Sequence, residues 1–169
     1  GVTSGSREAL RDYVFERFTS MLDITGGKDL LILGDLFDQF EVAPRDWFLT
    51  YSKLSEWVSR TSRRLTLVAG NHDHSPKAFR MSSFQMLGGV LQEQHKELIQ
   101  VVHVNDLRLI RDGVWALAHC DNQEVFDQKL EEAMSCLGRG EILLLHANYN
   151  NPFTEQVDHS LNVSEQVAQ

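Results

Sequence analysis

Apolar positions along the chain alternate between two periods. In "SREALRDYVFERFTSMLD" (6–23), Leu10, Tyr13, Val14, Phe18, Met21 and Leu22 fall mostly three or four apart, and Gly26-Gly27 follows. That spacing predicts an amphipathic helix with a glycine stop. "DLLILG" (29–34) is a short continuous apolar run, as expected of a strand buried on both faces. "PRDWFLTYSKLSEWVSR" (44–60) opens with Pro44 and repeats Trp47, Phe48, Tyr51, Leu54, Trp57 and Val58 at helical spacing. Its aromatic stripe reads as core packing rather than a platform for stacking bases. "RLTLVAG" (64–70) predicts a second buried strand, and "PKAFRMSSFQML" (76–87) a weaker helix ending at Gly88-Gly89. "IQVVHV" (99–104) and "LRLIR" (107–111) read as strands, and Asp112-Gly113 as a two-residue hairpin turn into "VWALAH" (114–119). "QEVFDQKLEEAMSCL" (123–137) predicts a helix with Gly138 beyond its end, and "EILLLH" (141–146) another buried strand. The tail from Ala147 onward is polar and aperiodic, a long functional loop leading into a final helix. Strand-helix-strand alternation predicts an α/β layered domain, with parallel pairing for at least the first strands.

Composition narrows the class. A chain of 169 residues with 42% hydrophobic content suits a single domain over 1–169 with a real core. No apolar run approaches the roughly 18 residues of a membrane-spanning helix, and the polar start predicts no signal peptide. Two cysteines, Cys120 and Cys136, make no disulfide framework; free thiols in a reducing cytoplasm are expected. The net charge of −8 argues against a free-standing basic nucleic-acid binder. It leaves room for a nuclease whose cations meet the phosphate, or whose partner supplies the basic surface. The basic clusters, Arg60 with Arg63 and Arg64, and Lys77 with Arg80, read as solvated faces.

Three predicted strands end in chemistry: Gly34-Asp35, Gly70-Asn71-His72 and Leu145-His146. In parallel sheets, functional side chains collect at the carboxyl ends of strands. A carboxylate, an amide oxygen and an imidazole brought together there would suit Mn, Fe, Zn or Mg. Taken singly, an Asp after a strand is usually a turn or cap residue and a lone His a satisfied polar group. The joint occurrence of "GDLFD" (34–38) and "GNHD" (70–73), in that order and each beside a strand, outweighs those readings.

With "LLLH" (143–146) following, this order resembles the calcineurin-like metallophosphoesterases, whose run is D-x-H, G-D-x-x-D, G-N-H-D or G-N-H-E, a lone His after a strand, and G-H-x-H. The resemblance implies a layered αββα sandwich, with helices outside two sheets and two divalent cations at the strand ends: Mn first, with Mg, Fe or Zn as alternatives. It implies that Asp35 bridges both cations and that Asn71 and His146 ligate the second. By the same resemblance His72 contacts the scissile phosphate and protonates the leaving oxygen, Asp73 orients His72, and Asp38 supports the site from outside. His74 has no counterpart in the motif and reads as surface or substrate-facing.

Two motifs are missing. No D-x-H precedes "GDLFD", no G-H-x-H follows His146, and "VDHSL" (157–161) is not that motif. The expectation is an internal portion of a longer enzyme, incomplete at both ends, against the alternative of a degenerate, non-catalytic homologue acting as a binding or scaffold subunit. His119, in "AHCD", competes with His146, because it resembles the metal-binding "HGD" histidine of nucleotide-lipid pyrophosphatases. A helix and a strand separate it from "LLLH", a layout closer to the bacterial DNA-repair exonuclease subunits of the SbcD type, so His146 is favoured. That layout implies a phosphate-ester substrate, with a DNA phosphodiester weakly favoured, an ATPase partner subunit and no membrane. A phosphomonoester or nucleotide pyrophosphate is the alternative substrate.

Overall fold

The structure, a computed structural model, describes residues 4–25, 27–74, 80–149 and 161–163. Chain order is α1 (Ser4–Ile24), β1 (Leu30–Leu33), α2 (Pro44–Thr61), β2 (Leu65–Val68), α3 (Ser83–Gln94), β3 (Ile99–Val102), β4 (Leu107–Arg111), β5 (Val114–Leu117), α4 (Gln123–Cys136), β6 (Ile142–Leu145), β7 (Asn148–Tyr149) and β8 (Asn162–Val163). The fold is α/β. One sheet runs β1-β2-β3 with both pairings parallel. A second runs β4-β5-β6, antiparallel at the hairpin and parallel between β5 and β6. The short β7 and β8 pair in parallel. Among the described residues no helix is long and apolar enough to cross a membrane.

The core lies mainly between the first sheet and the two helices that connect its strands. Leu54, Trp57 and Val58 of α2 and Phe84, Leu87 and Leu91 of α3 bury against Leu65, Leu67 and Val101. This is the role read for the α2 stripe, although Phe48 on it is exposed. A smaller cluster sets Phe126 and Leu130 of α4 against Leu117 and Cys120. Both cysteines are free thiols, Cys120 buried and Cys136 exposed.

Four expectations change. Only β2 is buried along its whole length; β1 and β6 are half-buried, because each is an outer strand of its sheet among the described residues. In α1 the apolar residues form two stripes. Phe15, Phe18 and Leu22 face the protein, while Leu10, Tyr13, Val14 and Met21 are exposed. The third helix starts at Ser83, and Gly88-Gly89 sits inside it rather than ending it. Ser82 caps it, with Ser82 Oγ accepting from Gln85 N–H and the Gln85 side chain accepting from Ser82 N–H, a reciprocal cap that fixes the start. Gly88 is tolerated there because the helix lies against Val101, where a Cβ would come within 3.0 Å of the valine methyl. Residues 75–79, at the start of the predicted helix and including Lys77, lie outside the described residues, as do 150–160 and 164–169 of the tail. What is described of the tail pairs as strands: Asn148–Tyr149 with Asn162–Val163.

Candidate metal centre

β1 and β2 are neighbours in register, Leu33 opposite Val68, so the turns that follow them meet side by side. Gly34 (φ 80°) and Asp35 (φ 50°) both turn through the left-handed region. Glycine does this without strain, and aspartate tolerates it better than most residues. A Cβ on Gly34 would strike the His146 ring, and one on Gly70 would strike Asp35 Oδ1 and its backbone N. Both glycines are therefore required by close approach across the site.

Asp73 fastens the two turns together. Its buried carboxylate accepts hydrogen bonds from Gly70 N–H (3.0 Å), Phe37 N–H (3.3 Å) and Leu36 N–H (3.4 Å). Burial raises its pKa, and the three amides oppose that shift. Asp73 was expected to orient His72; its hydrogen bonds instead go to backbone amides of both loops. The His72 ring is held through Nδ1 by the main-chain carbonyl of Asp38 (2.8 Å). Asp38 meets the His72 ring with its backbone carbonyl.

His146 arrives from the second sheet. The two sheets touch at their carboxyl ends, where His119 N–H donates to the Ala69 carbonyl (2.9 Å). His146 Nδ1 lies 3.1 Å from the Leu33 carbonyl, and Nε2 points at Asn71 Oδ1 (2.9 Å) and Asp35 Oδ2 (3.3 Å). The structure therefore brings Asp35, Asn71 and His146 together, with His72 beside them: the His72 N–H donates to Asp35 Oδ1 (3.1 Å). Burial would raise the Asp35 pKa, but the His146 and His72 hydrogen bonds outweigh it and the net shift is downward. The Asp35 hydrogen bond raises the His146 pKa against burial.

The donor set fits a divalent cation. With Nδ1 donating to Leu33, a neutral His146 turns its Nε2 lone pair toward two oxygens. Donors each about 2.1 Å from one ion stand about 3 to 3.5 Å apart, and the 2.9 and 3.3 Å separations here match. No three His, Cys, Asp or Glu side chains among the described residues group as a metal site; this set reaches three only by counting the Asn71 amide.

A family model for calcineurin-like phosphoesterases matches residues 5–164. The chain belongs to that family. No curated protein gives a significant match. Membership makes this a metal-dependent phosphoesterase domain in general terms.

The motifs did not single out Asn105 and Asp121. Asn105 (φ 64°) joins His119 to Asp121: its N–H donates to the His119 carbonyl (2.9 Å), its Oδ1 accepts from Asp121 N–H (3.0 Å), and its Nδ2 donates to Asp121 Oδ2 (2.8 Å). Asp121, two residues after His119, was the only sequence signal for them. His119 itself is 4% exposed, with Nδ1 unpartnered. Burial first, then the charges of His74 and His146, push its pKa down to about 4, leaving a neutral imidazole near neutral pH.

Proposed function

We propose that this phosphoesterase hydrolyses phosphodiesters at a dinuclear centre to which Asp35, Asn71 and His146 contribute, with Mn the first choice of cation. The observation that carries the proposal is the convergence of Asp35 Oδ2, Asn71 Oδ1 and His146 Nε2 from two different sheets. Cations bound there would lower the pKa of an attacking water and neutralise the non-bridging phosphoryl oxygens.

The chain's own groups supply the rest. Asp35 offers Oδ2 to the cation side while Oδ1 is fixed by His72 N–H. With Nδ1–H donating to the Asp38 carbonyl, His72 keeps Nε2 for the substrate; in its doubly protonated, imidazolium form it would pass the Nε2 proton to the departing ester oxygen and be left as the neutral Nδ1–H imidazole. Asp73 keeps the Asp35 and Asn71 turns in fixed relation, so the approach geometry is set before substrate arrives.

A DNA strand is the favoured substrate, by the SbcD-type order of "GDLFD", "GNHD" and "LLLH". An ATPase partner subunit, a cytoplasmic setting and a basic surface supplied by the partner belong to the same reading. The net charge of −8 supports a smaller phosphate ester as the alternative. The test is Mn-dependent hydrolysis of bis-p-nitrophenyl phosphate, with single-stranded DNA and p-nitrophenyl phosphate in parallel. Asp35→Asn should lower the diester rate at least about a hundredfold, because it removes the charge the cations share. His72→Ala should lower turnover with cation content unchanged. A monoester preference would overturn the diester reading, and an unchanged Asp35→Asn rate would overturn the site.

A further inference from the structure

The loop that carries Asp38 runs from Asp35 to Ala43, between β1 and α2, and forms neither helix nor strand. It is fastened from outside at both ends. At the near end Asp73 accepts from the Leu36 and Phe37 amides. At the far end the hold comes from Ser83, the buried first residue of α3. Ser83 N–H donates to the Phe40 carbonyl (2.7 Å), and Ser83 Oγ accepts from Val42 N–H (3.0 Å). Asp38 lies between the two fastenings, and its carbonyl is the partner of His72 Nδ1. We propose that Ser83 is a positioning residue for His72, acting through residues 40–42 on the Asp38 carbonyl. The proposal rests on the reading of His72 as the group that meets the leaving oxygen.

Three observations make Ser83 more than a helix start. The first is its hydroxyl. Ser82 already caps α3, so the Ser83 side chain is not needed for the helix, and it serves the loop instead. Its N–H is one of the amides that a helix leaves unpaired at its start, and the Phe40 carbonyl takes it. One residue thus gives the loop a donor and an acceptor together. The second is that Ser83 is itself held. Its carbonyl accepts from Trp47 Nε1–H (3.0 Å), and the Trp47 ring is stacked on Tyr51 at 5.5 Å and 8°. The fastening therefore ends in two packed helices. The third is Arg80, which holds the same stretch from the solvent side. It pairs with Glu41 and lies over the Phe40 ring, 5.6 Å from its centroid.

The consequence falls on the His72 ring. The hydrogen bond made by one imidazole nitrogen sets which nitrogen carries the proton. A carbonyl at Nδ1 requires a proton there and leaves Nε2 for the substrate. The bond to Asp38 is 2.8 Å long, and about 1 Å of loop movement would end it. A loop anchor with no bearing on the reaction would make the same bonds, but its loss would cost stability and leave the ring as it was.

The experiment is Ser83→Ala, read first without metal or substrate. In chelated protein, at a pH where histidine rings are neutral, ring-nitrogen NMR shifts report the tautomer of His72. The wild type should show the Nδ1–H form, and Ser83→Ala a mixture with the Nε2–H form. Arg80→Gln should show the same change to a smaller extent; Arg80 is exposed, so this variant decides the matter where Ser83→Ala fails to fold. In the Mn-loaded enzyme, Ser83→Ala should lower kcat with KM and Mn content unchanged. The loss should be about tenfold on diphenyl phosphate and less than about threefold on bis-p-nitrophenyl phosphate, whose better leaving group needs less help from an acid. In a His72→Ala background, Ser83→Ala should cost nothing further, because the two act as one unit. A wild-type ring already in a mixture would overturn the inference. So would an Nδ1–H form that persists in Ser83→Ala, or in Arg80→Gln where the first variant does not fold. A loss equal on the two diesters, or repeated in full without His72, would overturn it as well. A tautomer that changes in Ser83→Ala, while His72→Ala hydrolyses as fast as the wild type, would support the placement by Ser83 and overturn the role given to His72 instead.

Discussion

Single residues at this site do their work by acting on backbone. Asp73 shows it best: one carboxylate accepts from amides at positions 36, 37 and 70 and so locks two loops that are far apart in the chain. Replacing it with Asn turns half of the acceptor into a donor facing N–H groups. Asp73→Asn should cost about 2 kcal/mol or more in urea unfolding, the scale of a charge-assisted bond lost with its partners left buried. A loss below about 0.5 kcal/mol would show that the loops are held by something else. The sequence placed Asp73 in the site but could not give its partner, because the motif "GNHD" makes Asp73 and His72 adjacent while the turn sends their side chains to different elements. Asp35, Asn71 and His146 were legible because each ends or follows an apolar run. Asn105 was not, since its pairing with Asp121 depends on the loop conformation at Asn105.

Among the elements, the hairpin at Asp112-Gly113 and the parallel start of the first sheet were readable from period and turn chemistry. The third helix was misread because a glycine pair normally signals an end, and only tertiary contact reveals why it does not here. The two glycines offer a matched test. A Cβ on Gly89 meets nothing within 4 Å, whereas one on Gly88 comes within 3.0 and 3.1 Å of the Val101 methyls. Gly89→Ala should therefore raise stability by about 0.5 to 1 kcal/mol, the helix-interior gain of alanine over glycine. Gly88→Ala should gain nothing or lose stability, because Val101 is fully buried and has no room to retreat. Equal thermal shifts for the two variants would contradict the packing described for α3. In α1 the period was right and the face was not, since two apolar stripes satisfy the same spacing.

For the molecule as a whole, stability should carry a pH signature from a histidine away from the centre. Burial pushes the pKa of half-buried His103 below its ordinary 6.5, with Asp106 opposing and Arg108 reinforcing the shift. The unfolded chain therefore takes up this proton first as pH falls. Stability is present in full above about 6.5 and is lost as pH falls from there toward the folded value, with a slope of at most about 1.4 kcal/mol per pH unit for this one group. In chelated protein, His103→Gln should show a shallower fall between pH 7 and pH 5 by urea unfolding; parallel curves would contradict the assignment. The meeting of two sheets at one site is also a property of the whole molecule. Sequence order placed three chemical groups at strand ends, but the His119 to Ala69 hydrogen bond that joins the sheets there has no signature in periodicity.

The central claim is that one divalent cation is held jointly by groups from both sheets. Anomalous diffraction at the manganese edge, from crystals soaked in Mn(II), tests it most directly. The account calls for a peak within about 2.5 Å of Asp35 Oδ2, Asn71 Oδ1 and His146 Nε2 together. A fully ordered site with no peak between those three atoms, or a peak that leaves His146 on the Leu33 carbonyl and away from the metal, would contradict it.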